Sequence, residues 1–379
     1  MDISLLYLTA GLLVSFLAGW ISIPRIVLIA KRKRIFDTPC KRKIHTGQIP
    51  RLGGISFMPA ILLAFFLVRG IQGSVGGAQQ AASDGGFQHC MFYFLAGLIM
   101  IYLTGLWDDI AGLSYKYKLG AQLFVALLLV LPAGSVDNLQ GLFGVGTLPH
   151  WLSFPLSVLT VMVVINAFNM IDGMDGLCSG LSAIAFLTLG ALLAYGGETL
   201  FALLAAVTIG VVIPFFIYNC YGRKLKIFMG DCGSLTLGYI AAFLLLQLAA
   251  RNNSAQQPVQ LTLVTLMSIV FVPLFDTLRL FIQRLWRGNS PFLADRNHIH
   301  HKLLRLGYSQ RKSLRIILSL QVFFIVSNFL LASMIDINFL FAADFALAAL
   351  LIVCLDRRAL RRQRRTAVLS SGKGNKGDR

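Results

Sequence analysis

Charged side chains are scarce in this chain. They make up 13% of its 379 residues, roughly half the share usual in a soluble domain. Acids are scarcer still, 16 against 34 Lys and Arg. Cysteine is sparse too: six residues, at 40, 90, 178, 220, 232 and 354, with no Cys-x-x-Cys pair. Only Cys90 falls near the expected outer face, so neither a disulfide framework nor a cysteine metal site is indicated. The chain has no Walker-type phosphate loop, no Gly-x-Gly-x-x-Gly dinucleotide fingerprint and no Gly-x-Ser-x-Gly elbow. ATP-driven transport and serine hydrolysis lose support accordingly. There is no repeat of fixed period. The start Met1-Asp2 lacks a basic flank before its long apolar run, which does not fit a cleaved signal peptide.

What is abundant is apolar sequence, 56% of the chain, with mean hydropathy +0.73. A helix needs about 20 apolar residues to cross a bilayer. Eleven spans are expected, at roughly 4–24, 53–71, 89–107, 119–134, 151–171, 180–197, 200–218, 234–250, 260–281, 313–333 and 338–355. Ten is the main competing count. The fold class is therefore all-α, a polytopic integral membrane protein. Thirty of the 34 basic residues fall in alternate loops, within 31–51, 116–118, 223–226, 284–315 and 357–379. The positive-inside rule then sets the N-terminus outside and the C-terminus in the cytoplasm. Because the basic residues alternate with apolar spans, they form no continuous patch for nucleic acid. Residues 1–355 read as a single transmembrane domain. Residues 356–379 read as a basic cytoplasmic tail that begins as a helix extension and ends partly disordered.

Against that background the few acids stand out. Carboxylates near hydrocarbon are costly, and clusters of them are functional candidates. Asp108 and Asp109 end one span, and two adjacent carboxylates call for a cation or a shared proton. Lys118, on the next span, resembles a phosphate-binding cation. Asn166, Asn169, Asp172 and Asp175 are spaced by three, which predicts one polar face on a helix leaving the membrane. Asp231 and Ser234, in Gly230-Asp231-Cys232-Gly233-Ser234, open a further helix, as simple caps or as part of an anion site. Asn219 can add an amide. Oxygen donors gathered at a membrane surface suit Mg²⁺ and a phosphate-bearing substrate.

Half of the six histidines lie within four residues, His298, His300 and His301. Imidazoles suggest a transition metal, but three rings on so short a segment are expected to point in different directions. Arg296, Lys302 and Arg305 lie close by, which favours phosphate recognition over zinc. The basic stretch from Asp37 to Gly54 reads as a positive-inside anchor or as a lip that steers anions. Asp276 is expected to pair with Arg279.

Taken in order, Asp-Asp, Asn-Ala-Phe-Asn-Met-Ile-Asp-Gly-Met-Asp-Gly, Phe-Met-Gly-Asp-x-Gly-Ser and Asp-Arg-x-His-Ile-His-His resemble the polyprenyl-phosphate N-acetylhexosamine-1-phosphate transferases. The resemblance spans about residues 37–302 and is strongest to the WecA-type branch. It implies transfer of N-acetylglucosamine 1-phosphate from UDP-N-acetylglucosamine to undecaprenyl phosphate, releasing UMP. The lipid-linked sugar would start O-antigen or a related surface polysaccharide. It also implies Mg²⁺ or Mn²⁺ and a bacterial inner-membrane enzyme whose site faces the cytoplasm. The same chemistry on an epimer or a deoxy-amino sugar is the alternative. In the MraY-type branch, which takes a muramoyl-pentapeptide, three consecutive histidines precede an acid; here Ile299 interrupts them and Lys302 follows. The third acid often seen after Asp-Asp is absent, since Asp108-Asp109 run into Ile110-Ala111-Gly112.

On this reading Asp231, Asp109 and Asp108 share the metal and the catalytic work. Asn166, Asn169, Asp172, Asp175 and Asn219 position the nucleotide and the metal, and Arg296, His298, His300 and His301 hold the sugar diphosphate. A homo-oligomer is compatible with this arrangement. A cation-coupled transporter is the contrasting class, but its carboxylates tend to lie near the bilayer midplane in repeated halves.

Overall fold

The computed structural model describes residues 3–33, 49–76, 85–252, 261–290 and 297–374. Among them are thirteen α-helices: α1 (Ile3–Arg32), α2 (Phe57–Gly76), α3 (Gly85–Ala111), α4 (Tyr115–Ala133), α5 (His150–Ile171), α6 (Leu177–Tyr195), α7 (Thr199–Tyr221), α8 (Gly230–Asn252), α9 (Leu263–Ser268), α10 (Phe271–Trp286), α11 (Ile299–Arg305), α12 (Gln310–Leu331) and α13 (Ile337–Gly374). Ten of these, α1–α8, α12 and α13, are long and apolar enough to cross a membrane. The described residues contain no strand, only an isolated bridge between Asn138 and Thr147. The chain is an all-α, multi-pass membrane protein, because only helices and closed barrels satisfy the backbone in hydrocarbon.

The ninth expected span, 260–281, is not one helix. It is split into α9 and α10 at Ile269–Val270. Pro273 explains the break: it has no N–H to give Ile269, four residues back, and its ring collides with that carbonyl. Gln321 of α12 fills the gap. Its Nε2 donates to the carbonyls of Ser268 (2.7 Å) and Ile269 (3.0 Å), and its Oε1 accepts from the Val272 N–H at 3.0 Å. The broken unit still runs from one end of the bundle to the other. At one end Gln140, from the α4–α5 loop, bonds the backbone of Leu261 and Leu263. At the other end Asp276 meets His298.

α8 is the central helix, with 89% of its most apolar stretch enclosed. It packs against α3, α5 and α6. Small residues let the backbones approach: a Cβ at Gly238 would lie 2.9 Å from the Cα of Ile165, and one at Gly105 would lie 2.5 Å from the Cα of Cys232. The α3–α4, α5–α6 and α7–α8 connections gather at one end, joined there by the 49–54 segment and α11. α13 passes the 355–356 boundary expected from sequence without a stop and stays helical through Gly374. There its Asp356 accepts from Lys302 of α11.

Replacing Gln321 by Leu keeps the volume but strands two carbonyls and one N–H. At about 1–3 kcal/mol for each buried group left unpaired, we expect Gln321→Leu to lower the thermal unfolding midpoint of the purified protein by several degrees. An unchanged midpoint would show that the break needs no partner.

Candidate active site

The site is built on the first turn of α8. A helix N-terminus carries N–H groups with no partner inside the helix. Here Asp109, at the end of α3, supplies both acceptors: Oδ1 takes the N–H of Asp231 and Oδ2 that of Cys232, each at 2.9 Å. Asp109 was expected among the metal ligands; in the structure each of its oxygens accepts an N–H of α8. The capping role considered for Asp231 is therefore filled from another helix, and the Asp231 carboxylate is left for the site.

Lys118 of α4 lies between two acids. Its Nζ is 2.7 Å from Asp108 Oδ2 and also donates to Asp231 Oδ2. Asp108 Oδ1 accepts from the N–H of Leu113 at 2.6 Å, which closes the α3–α4 turn. The triad Asp108–Lys118–Asp231 thus confirms no phosphate contact by itself, but it holds one cation between two carboxylates.

Asn166, Asn169, Asp172 and Asp175 do not form one helical face, because α5 ends at Ile171. Asp172 leaves the helix with φ −74° and ψ 54°, and Gly173 to Gly176 form a turn into α6. Asn166 bonds Gln122 of α4 and the Met162 carbonyl. Asn169 donates to the buried Ser234 hydroxyl at 2.9 Å, so Ser234 is not open to an anion. Asp175 pairs with Lys226 at 2.5 Å. Asn219 is buried; it accepts from the Gly176 N–H (2.5 Å) and donates to the Ile227 carbonyl (2.8 Å). Its amide therefore ties the turn to the segment leading into α8.

Asp172 differs from the others in that its carboxylate has no hydrogen-bond or ion-pair partner among the described residues. Burial, then the charge of Asp231, pushes it up to about 8, with Arg51 opposing. Arg51 is placed there by a short pairing: Gly53 and Gly54 donate to the carbonyls of Phe228 and Met229, and Phe228 donates to that of Pro50. Gly54 lies so close to the Gly233 backbone that no side chain fits between them. Arg51 therefore acts on Asp109, Asp172 and Asp231 together. In the sequence it was one basic residue of the 37–54 stretch, with nothing to single it out.

The histidines correct a second expectation, since their rings converge. His298 precedes α11 with extended ψ (153°), so helical spacing does not apply to it. Ring centroids are 4.2 Å apart for His300 and His301, 5.5 Å for His298 and His300, and 6.4 Å for His298 and His301. His300 is buried, and neither of its ring nitrogens has a partner among the described residues. Burial, then His301 and His298, holds it down to about 3, so it is neutral at physiological pH. The ring lies against Gly173, where a Cβ would come within 2.6 Å of it. The His segment and the Asp172 turn are thus in direct contact. Among the described residues no set of three His, Cys, Asp or Glu side chains is arranged to hold a metal. Arg296 lies outside the described residues, as does most of the basic stretch, 37–48.

Once this geometry is in view, relatives place it. The profile of glycosyl transferase family 4 matches residues 91–249. The chain is 32% identical to the undecaprenyl-phosphate alpha-N-acetylglucosaminyl 1-phosphate transferase of Yersinia pestis, over 75% of this chain and 73% of that protein. It is 30% identical to the Escherichia coli K12 protein of the same name, with the same coverage. A probable undecaprenyl-phosphate N-acetylglucosaminyl 1-phosphate transferase of Bacillus subtilis is 33% identical over 88% of this chain and 87% of its own length. The chain belongs to glycosyl transferase family 4.

The raised Asp172 carries a pH signature. An acid that holds its proton more tightly when folded costs nothing below the ordinary Asp range near 4. The penalty grows as pH rises toward about 8 and is complete above it. Without ligands, the wild type should lose thermal stability relative to Asp172→Asn between pH 5.5 and 9. Parallel pH profiles for the two proteins would contradict the assignment.

Proposed function

We propose that the chain transfers N-acetylglucosamine 1-phosphate from UDP-N-acetylglucosamine to undecaprenyl phosphate, releasing UMP. The observation that carries this is the gathering of Asp108, Lys118, Asp172 and Asp231 at one end of the bundle, in a chain whose relatives bear that activity in their names. An oxygen of the lipid phosphate attacks the sugar-bearing phosphorus of the donor. The bond to the bridging oxygen breaks, and UMP leaves with its electron pair. The lipid phosphate is already a competent nucleophile, so positioning and charge control matter more than a general base.

A divalent cation fits the donor set. Asp172 has no hydrogen-bond or ion-pair partner among the described residues, and Asp231, held by Lys118 and Asp108, lies close enough for its charge to act on it. Two carboxylates alone do not complete a shell, which suits Mg²⁺ or Mn²⁺ completed by substrate phosphates and water. Such an ion, held by Asp231 and Asp172, would neutralise charge on the diphosphate. Lys118, oriented by Asp108, provides a second positive charge for the oxygens of the transferring phosphoryl group. Arg51, beside the acidic cluster, and the histidines, against Gly173, serve the donor diphosphate. Sugar choice rests on few hydrogen bonds, so an epimeric or deoxy-amino donor is the alternative, to be separated by a panel of UDP-sugars.

On the positive-inside rule, the basic loops favour a cytoplasmic position for this end of the bundle, with the N-terminus outside, in the inner membrane of a bacterium. On a background lacking Cys90, Arg223→Cys and Asn289→Cys should resist an impermeant thiol reagent in intact cells, while Gly146→Cys should react. Labelling of position 223 or 289 from outside would reverse the orientation and move the site away from cytoplasmic UDP-sugars.

Asp231→Asn keeps the size and removes the charge a hard cation needs. We expect UMP release at saturating Mg²⁺ to fall at least about a thousandfold, or about 4 kcal/mol of barrier. Folding should be retained, because Asp109 and not Asp231 caps α8. Activity within a few fold of wild type would remove Asp231 from the chemistry.

A further inference from the structure

Asp276 lies on α10 and is 2% exposed. A charge held this far from water persists only where partners satisfy it. The expected partner, Arg279, is present: its Nη2 donates to Asp276 Oδ1 at 2.7 Å. That pair is only part of the arrangement. Oδ1 also accepts from the backbone N–H of Ile299 at 3.2 Å, and Oδ2 lies 2.8 Å from His298 Nδ1. Arg279 Nη2 donates in addition to the Asn297 carbonyl at 2.8 Å. The acid and its arginine therefore bracket residues 297–299, the turn that delivers the histidines to the site.

A carboxylate only accepts, so this contact puts a hydrogen on His298 Nδ1 and selects one tautomer. Nε2 is then the nitrogen left for substrate, and it has no protein partner among the described residues. His298 in turn stacks on His300, with an interplanar angle of 15°, and His300 lies against Gly173 of the Asp172 turn. Fixing one ring fixes the register of the other two.

We infer that Asp276 is a positioning residue for the transfer reaction: through its hydrogen bond to Nδ1 it presents His298 Nε2 to the diphosphate of the UDP-sugar donor. The inference rests on the function proposed above and adds a residue from outside the motifs. A carboxylate that orients a working imidazole from behind is a recurrent device, and its loss typically costs about 10- to 100-fold.

The test is a double-mutant cycle on purified protein, reading UMP release against UDP-N-acetylglucosamine concentration. Asp276→Asn should lower kcat/KM about 10- to 100-fold, mainly by raising KM for the donor. His298→Asn should do at least as much. If Asp276 acts through His298, adding Asp276→Asn to His298→Asn should cost little more. Equal losses in both backgrounds would mean that Asp276 supports the fold and not the imidazole, and would overturn the inference. So would an Asp276→Asn enzyme with wild-type kinetics. If Asp276→Asn does not fold, Asp276→Glu, which keeps the buried charge but moves it by one methylene, runs the same cycle. A wild type that releases no UMP from this donor would instead reject the proposed function itself.

Discussion

The site depends on the Asp109 carboxylate accepting the Asp231 and Cys232 N–H groups in the first turn of α8. Asp109 and Asp231 are 122 positions apart, so this bond is a tertiary cap that no local pattern announces. It does two things at once. It satisfies the positive end of the most enclosed helix in the bundle, and it sets α3 against α8 so that Gly105 rests on Cys232. Once Asp109 does the capping, Asp231 is free to face Lys118. Adjacent acids in the sequence thus have different work: Asp109 builds the site, while Asp108 orients a cation within it.

Charge balance is what favours the proposed divalent ion and a basic rim at such a site. Asp108, Asp172 and Asp231 face Lys118 and Arg51, so the ligand-free cluster has more acid than base. Asp172 meets the imbalance by holding its proton. Two phosphate-bearing substrates would worsen the repulsion unless a divalent ion joined them. Mg²⁺ typically arrives with most of its ligands supplied by phosphate and water, which agrees with a pair of carboxylates and no preformed cage.

Much of this was legible in the sequence. Hydropathy located the crossings, and the rarity of acids within them pointed to Asp108, Asp109, Asp172 and Asp231. What was not legible depends on long-range partners or on local breaks in helical geometry. A spacing of three suggested that Asn166 through Asp175 shared a face, yet the helix stops at Ile171 and the glycine-containing turn separates the amides from the acids. The histidine rings converge because His298 is extended, a backbone state that spacing cannot reveal. Pro273 lay unread inside the expected 260–281 span, and the repair of its break comes from Gln321, about fifty positions downstream. Asp276 was read through its helical neighbour Arg279, and its contact with His298 appears only when α10 and α11 are seen together.

The discontinuity between α9 and α10 is bridged from a third helix. Pro273 breaks the ladder, and Gln321 replaces the missing bonds from α12. Asp276, nearly two turns beyond the break, meets the segment before α11, while Lys302 anchors α11 to α13. The histidines are therefore held between two helices that also lie in the membrane. On the proposed function a lipid acceptor would enter from hydrocarbon and a nucleotide-sugar from water, and a site at the end of such helices would let one set of side chains meet both.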